Sequence, residues 1–239
     1  MPRSLPLLSL FWLLAFECCQ AQPTPTRPAT PGGANPAPPV EFKTLDEQAS
    51  YAIGVDVGRS LLNDAPELNP DLVARGLLDA MRKAKPQLSD AHMREVMDLF
   101  SAHKAGPAEE KTLKEGQAFL AANKVKPGVV TTDSGLQYFV IKSGTGKTPA
   151  VTDVVQVHYH GMLIDGKVVD SSIDRMKPAE FPVNKVIPAW TEALLKMKVG
   201  DKWRLYVPAR LAYGPQGTED GKIPPFAALL FDIELLEVK

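Results

Sequence analysis

Val155-Gln156-Val157-His158-Tyr159-His160 alternates apolar and polar residues, and the reading of the fold starts from this stretch. A period of two places Val155, Val157 and Tyr159 on one face of a strand and Gln156, His158 and His160 on the other. The same alternation recurs at Trp203, Leu205 and Val207, and again at Leu229, Phe231, Ile233 and Leu235. Upstream, Leu136 to Ile141 also reads as a strand. Short strands separated by loops bearing Gly and Pro indicate an antiparallel sheet. One short helix is expected from Pro188 to Lys196, with Pro188 in its first turn.

Upstream of Lys126-Pro127-Gly128 the period changes to that of helices. Thr44-Leu45-Asp46-Glu47 fits a capping box, in which the Thr44 hydroxyl and the Glu47 carboxylate each satisfy an orphan backbone donor. Leu45, Ala52, Ile53, Val57 and Leu61 follow at helical spacing, and Ser50, Gly54 and Gly58 form a strip with almost no side chain. Glycine inside a helix costs roughly 1 kcal/mol relative to alanine, so the strip implies that another helix comes close. That helix belongs either to the same chain or to a partner copy. A second helix opens at Asn69-Pro70-Asp71 and carries Leu72, Val73, Leu77, Ala80 and Met81. A third begins near Ser89 with Met93, Val96, Met97 and Phe100, the Met93/Met97 pair being read as core packing rather than as a client-binding surface. Gly106-Pro107 predicts a kink or break over Ala105–Pro107, because proline lacks the amide donor and clashes with the preceding turn. The helical pattern resumes from Glu109 to Asn123.

The N-terminal 41 residues stand apart. Arg3 precedes an apolar run from Leu5 to Phe16, too short for a ~30 Å hydrocarbon core but suited to a secretory signal. Cleavage after Ala21 is expected. Lipid attachment at Cys18 or Cys19 is disfavoured, since Phe16 and Glu17 stand where small residues are wanted. Both cysteines of the chain fall in this segment, so disulfides and thiol catalysis leave with it. Gln22 to Val40 contains seven of the 22 prolines and one charge, the composition of an extended tether. The division is then 1–21 signal peptide, 22–41 proline-rich tether, 42–126 helical domain and 127–239 sheet domain.

The 239 residues carry 27 Lys+Arg against 28 Asp+Glu, a net charge of −1 that lacks the basic footprint of a nucleic-acid binder. Gly144-Thr145-Gly146-Lys147-Thr148 mimics the end of a phosphate-binding loop. Ile141 stands where the motif's first glycine belongs, however, and Pro149 where a helix should start, so no nucleotide is expected. His158 and His160 share one strand face and raise a metal-binding alternative. With only two other histidines, both in the helical region, a satisfied or solvated pair is the better reading.

Several blocks, in order, carry a resemblance. They are Val157-His158-Tyr159-His160-Gly161-Met162-Leu163, Asp165-Gly166-Lys167-Val168-Val169-Asp170-Ser171-Ser172, Val186-Ile187-Pro188-Ala189-Trp190 and Val207-Pro208. Ala212-Tyr213-Gly214, Ile223-Pro224-Pro225 and Leu229 to Leu236 complete the set. Together they resemble the FKBP-type peptidyl-prolyl isomerase domain. Tyr51 to Gly58 and Arg75 to Ala80 are similar to the N-terminal domain of its exported, Mip-like branch. The resemblance implies an α+β chain: an all-helical dimerisation-type domain, then a five- or six-stranded antiparallel half-barrel wrapped on a short helix. It also implies an apolar pocket lined by Tyr159, Val169, Phe181, Val186, Ile187, Trp190, Tyr213, Ile223, Leu229 and Phe231. Trp190 would be its floor, Asp170 and Tyr213 its catalytic polar edges, and the Ile187 N–H the holder of a substrate carbonyl.

Rotation about an X-Pro bond must lose amide resonance against a barrier of ~18–20 kcal/mol, and uncatalysed it takes tens to hundreds of seconds. No bond breaks, so no nucleophile, metal or cofactor is called for. A dry aromatic pocket favours the less polar twisted amide over the planar one. The expected activity is therefore peptidyl-prolyl cis–trans isomerisation assisting the folding of exported, proline-containing clients in the periplasm or outer envelope, or after secretion. Macrolide-type inhibitors would share the pocket, and the helical domain would form a homodimer. The alternatives are a binding-only chaperone or host-interaction protein using the same pocket, and a metal-binding envelope protein. Val169, where many active family members have Phe, and the acidic Pro215–Lys222 loop are the two departures from the family pattern.

Overall fold

The computed structural model describes residues 40–239. The signal and all but the last two residues of the tether lie outside them. The chain divides into two compact units, the first ending at Val73 and the second running from Ala74 to Lys239.

In the first unit α1 spans Leu45–Asp64. Its capping box is formed: the Glu47 N–H donates to the Thr44 hydroxyl (3.2 Å), and the Thr44 N–H to the Glu47 carboxylate (3.2 Å). Helix α2 spans Pro70–Met81 and crosses the division. Asn69 caps it by accepting from the N–H groups of Asp71 (2.9 Å) and Leu72 (3.2 Å). Neither helix contains a buried residue. Leu45, Ile53 and Leu72 are 78%, 64% and 71% exposed, although their spacing marks them as an apolar face. Among the described residues, a side chain added at Gly54 or Gly58 would meet nothing within 4 Å.

In the second unit α3 (Asp90–Ala105) starts from Ser89, whose hydroxyl accepts from the His92 N–H (3.2 Å). It ends at Gly106, where φ is +145°, and α4 (Pro107–Lys124) begins at the next residue. The expected interruption is thus a full break. Met97 is 59% exposed and Met93 half-buried, so the core reading of that pair is corrected. Helix α4 packs closely on the sheet region, and a Cβ at Gly116 would stand 3.0 Å from the Ala228 Cβ. Asn123 Nδ2 donates to Gln137 Oε1 (2.9 Å), and Gln137 Nε2 donates to the Leu120 carbonyl (2.9 Å).

One antiparallel sheet holds seven strands: β1 (Val129–Thr131), β2 (Gln137–Lys142), β3 (Val154–Leu163), β4 (Val168–Ser171), β5 (Ala179–Pro182), β6 (Lys202–Val207) and β7 (Leu229–Val238). The order is β1-β2-β6-β7-β3-β4, with β5 paired to the first part of β3. Five or six strands were expected; β1, β4 and β5 have only three or four residues each, too few for alternation to show. Val155, Val157 and Tyr159 point inward, as do Leu205, Val207, Ile233 and Leu235 on the neighbouring strands. Against them lies α5 (Pro188–Leu194), which buries Ala189, Trp190, Ala193 and Leu194.

Candidate active site

Tyr159 on β3, Phe181 on β5, Trp190 on α5 and Phe231 on β7 come from four separate elements and converge on one indole. The Trp190 centroid lies 5.2 Å from Tyr159, 5.6 Å from Phe181 and 5.4 Å from Phe231, with interplanar angles of 76°, 89° and 88°. Edge-to-face packing of this kind suits the aromatic quadrupoles and fixes each ring. The rings border a cavity of about 610 Å³. Ten of the eleven residues singled out from the sequence line it. Leu229 does not: it is wholly buried in the core, inward on β7 like Phe231 but two residues earlier.

At the polar edge, Asp170 ends a network that sequence reading did not anticipate. The Tyr159 hydroxyl donates to Asp170 Oδ2, and Arg175 forms an ion pair with Oδ1. The Ser171 N–H also donates to Oδ1 (2.9 Å), and Arg175 donates to the Tyr159 oxygen (2.8 Å). The guanidinium lies 5.6 Å from the Tyr159 ring centroid, within cation–π range. Burial alone would raise the Asp170 carboxyl, but the donors from Tyr159 and Arg175 outweigh it and hold it below the usual carboxylate value. Burial, reinforced by that carboxylate, pushes the Tyr159 phenol up. Asp170 therefore stays an anion and Tyr159 a neutral donor.

Beside the buried Trp190 Nε1, which has no hydrogen-bond partner among the described residues, two neutral donors are left uncommitted. Among the described residues the Tyr213 hydroxyl makes no hydrogen bond; burial, and then the charges of Asp170 and Asp220, push its pKa above the ordinary phenol value. Among the described residues the Ile187 N–H likewise donates to no backbone carbonyl, whereas its own carbonyl accepts from Trp190 (2.9 Å) and Thr191 (3.2 Å). Both residues border the cavity.

Lys185, Thr218, Asp220 and Lys222 also line it and were missed as site residues. The last three sit in the loop whose contacts the sequence left undefined. There the Thr218 hydroxyl donates to Asp220 (2.7 Å), and the Lys222 N–H does likewise (3.1 Å). These two, with the Lys222 ammonium, lower the Asp220 carboxyl to about 2. Arg175, five residues beyond Asp170 in a turn, carried no periodic signal that singled it out.

His158 and His160 lie on the other face of β3. Their Nδ1 atoms are engaged by the Ser172 and Ser171 hydroxyls, at 3.1 and 3.0 Å. Among the described residues no three His, Cys, Asp or Glu side chains gather as metal ligands would.

The sequence model described as FKBP-type peptidyl-prolyl cis-trans isomerase matches residues 145–236, and that of the domain amino terminal to it matches 46–140. The chain belongs to the FKBP-type peptidyl-prolyl isomerase family. This FKBP-type isomerase is 45% identical to the outer membrane protein MIP of Legionella longbeachae over 204 residues, covering 82% of this chain and 87% of that protein. It is equally identical to the FKBP-type 22 kDa peptidyl-prolyl cis-trans isomerase of Escherichia coli over 201 residues, 82% of this chain and 97% of the relative. The crystal structure of FkpA from Escherichia coli superposes with a TM-score of 0.52 at 34% identity, over 83% of this chain and 99% of the other. The α+β architecture, helices followed by an antiparallel sheet with one packed helix, is shared with these FKBP-type relatives.

Proposed function

We propose that this isomerase turns X-Pro bonds by non-covalent stabilisation of the twisted amide in the Trp190 pocket, and that it acts on exported clients. The carrying observation is the convergence of four aromatic rings on a cavity edged by a pinned carboxylate and two free donors. The prolyl ring sits over Trp190, with Tyr159, Phe181 and Phe231 as walls. Loss of resonance makes the amide less polar as it twists, so the apolar walls bind the transition state better than the planar ground state. The Ile187 N–H and the Tyr213 hydroxyl take carbonyls of the client backbone and hold the peptide while it rotates. Asp170 keeps Tyr159 and Arg175 in place and sets the field at the pocket edge. No residue in this set acts as a general base.

The expected partition, 42–126 as a helical arm and 127–239 as the isomerase domain, completes the reading. The exposed apolar face of α1 and its bare glycine strip support a homodimer made through the arm. Export rests on the secretory signal read over residues 1–21, and a periplasmic or outer-envelope location fits the MIP relative. Binding without catalysis is the weaker reading, because holding proline segments does not call for free donors set beside a carboxylate pinned from three sides.

A protease-coupled assay with a short X-Pro peptide tests the catalysis. The folded chain should accelerate isomerisation well above the buffer rate, and a rate equal to buffer would leave only the binding reading.

A further inference from the structure

Phe226 has a backbone φ of +60°, a region that L-residues with bulky side chains avoid, and yet its side chain is only 4% exposed. A residue held in such a conformation persists where its surroundings over-determine it. Here the surroundings are helical: Phe226 packs with Ala102 of α3, Leu113 of α4 and Ala209. Its own N–H donates to the Gly214 carbonyl (2.8 Å), and the Gly214 N–H donates to the Ala209 carbonyl (2.9 Å). The Gly214–Phe226 bond closes the neck of a loop carrying Thr218, Asp220, Lys222 and Ile223, and Tyr213 adjoins the neck. Within the loop, the Thr218 N–H donates to the Ile223 carbonyl (2.9 Å), and the Ile223 N–H to the Thr218 hydroxyl (3.0 Å). Arg210, next to Ala209, pairs with Asp98 of α3 at 3.7 Å, a second tie from the same region to the helices.

Accordingly, we infer that the α3–α4 pair is a positioning element of the isomerase pocket, and that Phe226 is its anchor. The inference rests on the isomerase reading of that pocket. Five of the cavity's residues (Tyr213, Thr218, Asp220, Lys222 and Ile223) belong to the segment that Phe226 and Ala209 fasten to the helices. The loop is built of turns, with no strand or helix between Ala212 and Leu229; its other ties are the Thr218–Ile223 bonds and the burial of Ile223 and Ala227 in the sheet core. Without the seat the loop samples arrangements in which the pocket is incomplete, and apparent affinity falls with the competent fraction. Rotation within the closed pocket proceeds as before.

The test uses the full chain and two substitutions from opposite sides of the contact. Phe226→Asn keeps the backbone conformation, which asparagine tolerates, and removes the ring. Leu113→Ala empties the seat without touching the loop. Each should raise the KM for a neutral Leu-Pro peptide three- to tenfold, with kcat within about twofold of the parent. Amide exchange should speed up tenfold or more at Thr218, Ile223 and Phe226, and not at β6 or β7. The double variant should be no worse than the more affected single one, because both act through one contact. Phe226→Leu, which refills the seat, should restore KM. A lower melting temperature with KM and loop exchange unchanged would make Phe226 plain core and overturn the inference. If the Phe226→Asn chain does not fold, Leu113→Ala decides alone. Absence of catalysis in the parent would refute the isomerase reading instead, and the exchange data would still decide the anchoring.

Discussion

Phe231 lies directly opposite Gly161 in the β3–β7 ladder, and a Cβ on Gly161 would stand 2.6 Å from the phenyl ring. The missing side chain at Gly161 is the space that the ring fills. That space lets Phe231 reach Trp190 edge-on, so one glycine on β3 sets the geometry of the pocket on β7 and α5. Gly161→Ala is expected to push the ring off its position. Overpacking of this kind costs about 1–3 kcal/mol. The melting temperature should fall by about 2–4 °C per kcal/mol for a chain of this size. The same displacement should reduce kcat/KM, measured on the folded protein with a Leu-Pro peptide. A variant with the parent's melting temperature and activity would show that the ring does not depend on the glycine.

Asp170→Ala removes the acceptor shared by Tyr159, Arg175 and the Ser171 amide. Hydrogen bonds to a charged group contribute about 1.5–3 kcal/mol, which corresponds to roughly 10–100-fold in kcat/KM if the loss falls on the transition state. Tyr213→Phe removes one neutral donor and should cost about 2–10-fold on the same reasoning. Suppression of client aggregation should survive both changes, because it needs the apolar surfaces and not the donors. Equal losses of catalysis and aggregation suppression would merge the two activities.

The pH dependence follows from the directions of the shifts. Asp170 is lowered below its ordinary value and Tyr159 and Tyr213 are raised above theirs, so none of the three titrates between about pH 5 and 9. The pH profile of kcat/KM should be flat there. A depressed carboxyl stabilises the fold above its unfolded pKa of about 3.9, and that contribution is lost as pH falls through the folded value. Unfolding followed at decreasing pH should therefore show the Asp170 contribution disappearing below about pH 4, and Asp170→Asn should blunt that part of the curve. A bell-shaped activity profile centred near neutrality would require a titrating group that this pocket does not supply.

Ile53 and Val57 are 64% and 40% exposed on α1, a helix that contains no buried residue. Light scattering at several concentrations should give twice the chain mass for the parent protein. Ile53→Asp with Val57→Asp should give the single-chain mass, with activity on a short peptide retained. A parent that stays at the single-chain mass across the concentration range would remove the homodimer from the proposal.

The sequence by itself determined the elements whose signals are local. The capping box at Thr44, the Asn69 and Ser89 caps, the break at Gly106-Pro107 and the alternation along β3, β6 and β7 each depend on residues within a turn or a strand of one another, so they can be read directly. Ordered blocks of pocket residues added the family, and ten residues that line one cavity. Only the tertiary structure decided the rest. The pinning of Asp170 by Arg175 arises in a turn with no period. Leu229 faces the core and not the cavity, because the depth of an inward residue depends on how α5 and the neighbouring strands pack around it. The seat of Phe226 joins it to Ala102 and Leu113, both more than 100 positions away in the chain. The apolar face of α1 was legible as a pattern. That none of the described residues buries it was not, since periodicity records which residues avoid water and is silent about what they pack against.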